Sequence, residues 1–119
     1  MTTKQVAERL VALCRQGKYE EAQRELYADD AISIEPEATP AFEKETKGRS
    51  AIIEKGEKFT AMVEEMHSSE VSDPIVAENS FACTMSMDVT MKGQGRMNMQ
   101  ELCVYNLKDG KIVSEQFHP

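Results

Sequence analysis

The chain has 119 residues, 40% of them hydrophobic, which suits a single packed domain over 1–119 and excludes a disordered segment. A net charge of −7 with no stripe of Lys and Arg excludes a nucleic-acid binder, which must neutralise phosphates. Eight methionines and no tryptophan make an adaptable interior, suited to plain core filling or to an apolar ligand.

Thr2-Thr3-Lys4-Gln5 reads as a capping box, and Val6, Leu10, Leu13 and Cys14 follow at helical spacing until Gly17 ends the helix. No apolar run is long enough to target or span a membrane, so no membrane partner is expected. Cys14, Cys83 and Cys103 match no zinc or CxxC spacing. Free thiols in a reducing cytoplasm are the expectation, with no metal and no cofactor. Tyr19, Ala22 and Leu26 mark a short second helix, and residues 31–35 alternate as a strand. Residues 35–47, with Pro36 and Pro40, are expected to be an irregular loop or lid. A third helix starts at residues 48–50, with Ile52, Phe59, Val63 and Met66 as its apolar stripe and Gly56 at a close helix-to-sheet contact. His67 falls at the helix-to-strand junction, where it would cap the last carbonyls.

From His67 the period changes to two. Residues 71–78 form one strand, interrupted by Asp73-Pro74. In residues 81–91 every odd position is apolar, while Thr84, Ser86, Asp88 and Thr90 occupy the even ones. This predicts one buried and one wetter face. Gly93-Gln94-Gly95 turns into a further strand, and Asp109-Gly110 is a strong signal for a type I′ hairpin. Helices first and a meandering sheet afterwards make an α+β layout, with three helices on one face of a mostly antiparallel curved sheet and a cone between them. Such a cone is a natural small-molecule pocket.

Counting outward from Asp109-Gly110 pairs Leu107 with Ile112, Tyr105 with Ser114, Cys103 with Gln116 and Glu101 with His118. Leu102, Val104, Val113, Glu115 and Phe117 then fall on the other face. A three-residue loop with Gly95 in the left-handed region sets Met85, Met87 and Val89 beside Met99, Glu101 and Cys103. A two- or four-residue loop would make Asp88 the pocket acid instead. On the first register Glu101 is a carboxylate on a Met-rich face, where desolvation should raise its pKa and fit it for proton transfer. A Glu that merely bonds Tyr19, Tyr27, Arg24 or His118 is the plainer alternative. His118, Tyr19 and Tyr27 are the further catalytic candidates, the tyrosines as donors to a ligand carbonyl. Met85, Met87, Met99, Cys103, Gln116 and Phe59 are the expected ligand contacts. No nucleophile elbow, P-loop, dinucleotide fingerprint or zinc spacing occurs.

Residues 26–31 (Leu-Tyr-Ala-Asp-Asp-Ala), 47–52 (Lys-Gly-Arg-Ser-Ala-Ile), 101–105 (Glu-Leu-Cys-Val-Tyr) and 109–117 (Asp-Gly-Lys-Ile-Val-Ser-Glu-Gln-Phe) together resemble the SnoaL-like branch of the NTF2-like superfamily. The resemblance implies a cone-shaped α+β barrel that forms homodimers through its outer sheet face. It also implies kinship with polyketide cyclases, ketosteroid isomerases and dehydratases that use pocket acids and bases. The late-strand Trp-Asp of cyclase relatives is replaced here by Gln116, Phe117 and His118. Three functions compete: a cofactor-free acid/base enzyme of cyclase or isomerase type on a small apolar carbonyl compound, a non-catalytic small-molecule-binding module, and a dimeric protein-interaction domain.

Overall fold

A computed structural model describes residues 1–119. Helix α1 (Thr3–Arg15) starts where the sequence predicts. Thr2 Oγ1 accepts from Gln5 N–H at 3.1 Å and Gln5 Oε1 accepts from Thr2 N–H at 2.9 Å. Removing the cap by Thr2→Ala is expected to cost about 0.5–2 kcal/mol in a urea titration. One face of α1 buries Val6, Leu10, Leu13 and Cys14, and Gly17 turns the chain at φ +74°. Helix α2 (Tyr19–Leu26) buries Ala22 and Leu26, and strand β1 (Tyr27–Ile34) follows without a break.

Residues 35–44 are irregular, yet the segment returns as a short strand β2 (Glu45–Lys47) antiparallel to β1. Helix α3 (Arg49–Met62) begins at Gly48, whose φ of +94° suits a residue without a Cβ. Arg49 pins that start to β1 by pairing with Asp29 at 2.7 Å and donating to the Tyr27 carbonyl at 3.2 Å. Gly56 faces Gln23 of α2, 3.7 Å from where its Cβ would stand, so it marks a helix-to-helix contact rather than the expected helix-to-sheet one.

The third helix is shorter than its apolar spacing suggests. Val63 and Met66 belong to strand β3 (Val63–Val71), and residues 75–76 form a separate strand β4 (Ile75–Val76). His67 therefore caps no helix. It lies at a register shift in β3, its ring 2.7 Å from Thr90 Oγ1 and 2.8 Å from Glu65 Oε2. Strands β5 (Ser80–Met91), β6 (Gly95–Lys108) and β7 (Lys111–His118) complete a seven-stranded sheet ordered β2-β1-β7-β6-β5-β3, with β4 beside β5. Only β1 and β7 run parallel among these pairs. The sheet is mixed, curved and unclosed, with three helices against its concave side, the expected α+β cone.

Two turns set the registers. Asp109 (φ +53°) and Gly110 (φ +77°) make the type I′ hairpin that requires positive φ at both positions. Residues 92–94 loop between Met91 and Gly95, so Met85 opposes Glu101, Met87 opposes Met99 and Cys83 opposes Cys103. Core side chains from α1 pack on Phe81, Tyr105 and Ile112, with the Phe81 and Tyr105 rings stacked at 4.7 Å. No helix is long and apolar enough to cross a membrane.

Candidate functional site

A bulge decides what the cone contains. Leu107 opposes Ile112 as expected, but Asn106 opposes Ser114, so Val113 is the extra residue on β7. One extra residue flips every side chain beyond it to the other face. Glu115 and Phe117 turn inward, while His118 opposes Leu102 and Gln116 opposes Val104 on the outer face, both exposed. His118 is therefore no neighbour of Glu101, and Gln116 is no pocket contact. Phe117 is likewise missing from the apolar outer face on which the sequence register placed it.

The cavity between helices and sheet measures about 580 Å³, within the size range of small-molecule sites. Met85, Met87 and Met99 form the sheet wall together with Val63 and Met66 of β3, and Phe59 of α3 lines the helix side. Tyr19, Tyr27 and Cys103 also line it, so eight of the ten residues singled out from the sequence meet at one cavity. Asp88 is on the outer face, held by Arg96 through two hydrogen bonds of 3.0 and 2.8 Å that lower its pKa. That leaves Glu101 as the acid on the Met-lined wall.

Sequence reasoning missed a polar cluster at one end of the cavity. Glu115 is only 3% exposed. Its Oε1 accepts from the Tyr27 hydroxyl, and its Oε2 accepts from Ser33 Oγ at 2.6 Å. Ser33 reaches it because β1 and β7 run side by side in parallel with Ser33 opposite Glu115. Lys55 of α3 donates to Ser33 Oγ at 2.7 Å, lies 3.6 Å from Glu35 Oε1 and sits over the Phe117 ring at 5.5 Å. The Tyr27 proton is committed to Glu115, so Tyr27 is not the free donor that the sequence suggested. Tyr19 stays half-buried on the wall, its phenol pushed up by burial.

Glu101 is different in kind. Its carboxylate faces the cavity with no hydrogen-bonding side chain of its own, and burial, then repulsion from Glu35, pushes its pKa up against the pull of Lys55. Burial also raises Glu115, opposed by the bonds from Ser33 and Tyr27. Cys14 and Cys83 are driven by burial to about 12 and about 11, so the thiols stay protonated and inert. No three His, Cys, Asp or Glu side chains converge as metal ligands would.

The raised carboxyls have a consequence for stability. A carboxyl whose folded pKa exceeds its unfolded value of 4.5 holds its proton more tightly when folded. Stability is then full below that value and falls as pH rises through the folded pKa. The melting temperature is expected to drop as pH rises above 4.5, with a shallower slope in Glu101→Gln. A flat or rising profile would contradict the environment described.

Comparison with known proteins now adds the family. A SnoaL-like domain family matches residues 1–118. The chain belongs to that family. The SnoaL-like domain is similar to a Mesorhizobium loti protein provisionally named a SnoaL-like polyketide cyclase, at 32% identity and TM-score 0.92 over 100% of both chains. It shares the fold of a Mycobacterium tuberculosis protein solved with estradiol-17beta-hemisuccinate, at 14% identity and TM-score 0.75, over 100% of this chain and 95% of that one. A Catenulispora acidiphila protein of ketosteroid isomerase-like fold, solved with trimethylamine, aligns at 17% identity and TM-score 0.73, over 99% and 87% of the two chains. No curated protein matches the SnoaL-like domain.

Proposed function

We propose that this SnoaL-like domain is a cofactor-free acid/base enzyme that isomerises or cyclises a small apolar carbonyl compound, with Glu101 moving the proton. The observation that carries this is Glu101 itself: a carboxylate without a hydrogen-bonding side chain on a Met-lined wall, its pKa raised chiefly by burial. Keeping an ionisable group there is costly, and a base of raised pKa near neutral pH is what abstraction of a proton next to a carbonyl needs. Glu101 would take that proton and return it to another carbon, or to the new alkoxide after ring closure. The cavity volume and apolar wall fit a compact hydrophobic ligand, and a relative of this fold holds a steroid hemisuccinate.

The test is deuterium exchange into a panel of cyclic ketones and diketones in D₂O, followed by proton NMR. Wild type should catalyse exchange of the protons next to the carbonyl and Glu101→Gln should not. Compounds that bind both proteins and exchange in neither would overturn catalysis and leave a binding module.

A further inference from the structure

The geometry points to Lys55 as the group that holds the substrate oxygen when it turns from carbonyl to enolate. This rests on the acid/base reading of the cavity and adds its missing half. Removing a proton next to a carbonyl sends the C–H electron pair into a new C=C bond and the C=O π pair onto oxygen. That oxygen needs a donor aimed at it beforehand, because an oxyanion in an apolar cavity is otherwise prohibitive.

Lys55 is the one positively charged side chain on the cavity lining. Its side chain is 14% exposed, so its charge acts through a medium far less screening than water. The ammonium has three protons. Ser33 Oγ takes one at 2.7 Å, and that hydroxyl is in turn fixed by donating to Glu115 Oε2 at 2.6 Å. Glu35 Oε1 stands 3.6 Å away, beyond a charge-assisted hydrogen bond, for which 2.7–2.9 Å is typical. At least one proton therefore stays free for the cavity.

The competing donors are weaker. The Tyr27 proton is given to Glu115, and Tyr19 carries no charge. Lys55 is held from behind by Ser33, from the side by Glu35, and against the ring of Phe117, so it need not reorganise when the oxygen becomes charged. Lys55 and Glu101 then act as a pair. The carboxylate leaves as a carboxylic acid with the substrate's proton, the ammonium keeps all its protons and stabilises the enolate oxygen, and Glu101 gives the proton back. Nothing is oxidised or reduced and no further reactant is needed.

The test uses 4-nitrophenol, whose anion resembles an enolate and whose absorbance reports its ionisation. Wild type should bind it as the phenolate. Lys55→Met should weaken phenolate binding at least tenfold and slow deuterium exchange about 100-fold or more, the usual cost of losing an oxyanion donor. Lys55→Arg should recover much of the binding, and Glu101→Gln should keep the phenolate while losing exchange. Phenolate bound equally well by Lys55→Met, or exchange within threefold of wild type in that variant, would overturn the role of Lys55. Loss of exchange in Glu101→Gln beside unchanged exchange in Lys55→Met would sink this inference and spare the acid/base reading. Phenolate held by Lys55 with no exchange in any protein would sink both as chemistry. In the unaltered protein, the Lys55 side-chain ¹⁵N resonance must move on adding 4-nitrophenolate, a result independent of how any variant folds; no movement overturns the assignment.

Discussion

Glu101→Gln is expected to lower kcat by about 10²- to 10⁴-fold, the range that a positioned general base contributes, while ligand affinity stays within a few-fold. Gln has nearly the same shape, so the Met-lined wall opposite Phe59 is preserved. It cannot accept a proton, so only the transition state loses. The variant should also be no less stable than wild type near neutral pH, because the desolvated charge that raises the Glu101 pKa is gone. Exchange rates at saturating ketone, read beside a melting curve, check both halves together. A Glu101→Gln protein that turns over like wild type would show that the proton is moved elsewhere, and Glu35 would be the next carboxylate to replace.

Glu115→Ala is expected to cost about 3–5 kcal/mol of folding stability, as breaking a buried charged network does. The carboxylate is the common acceptor for Tyr27 and Ser33, and through Ser33 it steadies Lys55. Deleting it strands a buried phenol and a buried hydroxyl and leaves Lys55 with less counter-charge. Glu115→Gln should be milder, since its amide oxygen still accepts one of the two bonds. Urea titration followed by circular dichroism measures the difference. A loss below about 1 kcal/mol would mean that water replaces the carboxylate at no great cost, and the cluster would not be structural.

The strict alternation of β5 and the positive-φ turn at Asp109-Gly110 are local signals, so the sheet, its inner face and the placement of Glu101 could be read from the chain. The bulge at Val113 could not, because Ile112-Val113-Ser114 carries no glycine or proline to mark it. One clue was present. Ile112 and Phe117 are an odd number of residues apart, so unbroken alternation must expose one of two large apolar side chains. A bulge buries Ile112 and turns Phe117 to the cavity, and it carries Glu115 in with them. Val63 and Met66 misled for the opposite reason: three residues apart, they fit a helical stripe, yet both line the cavity equally well from a strand. Lys55 and Ser33 were invisible as partners because their meeting depends on α3 packing against β1, and that of Ser33 with Glu115 on the parallel β1–β7 contact, neither of which a short-range pattern encodes.

That parallel contact also fixes an order of events during synthesis. Ser33 and Glu115 are separated by 82 positions, and β1 gains its β7 neighbour only once the last strand of the sheet has left the ribosome. Until then β1 has a single short partner in β2 and an open edge on its other side, the kind of edge on which other chains can template. Closing so long a loop comes late and slowly. The polar end of the cavity is thus the last part of the sheet to form, and a nascent chain stalled before β7 would carry α1, α2 and α3 complete but lack the Glu115 carboxylate that fixes Ser33 against Lys55.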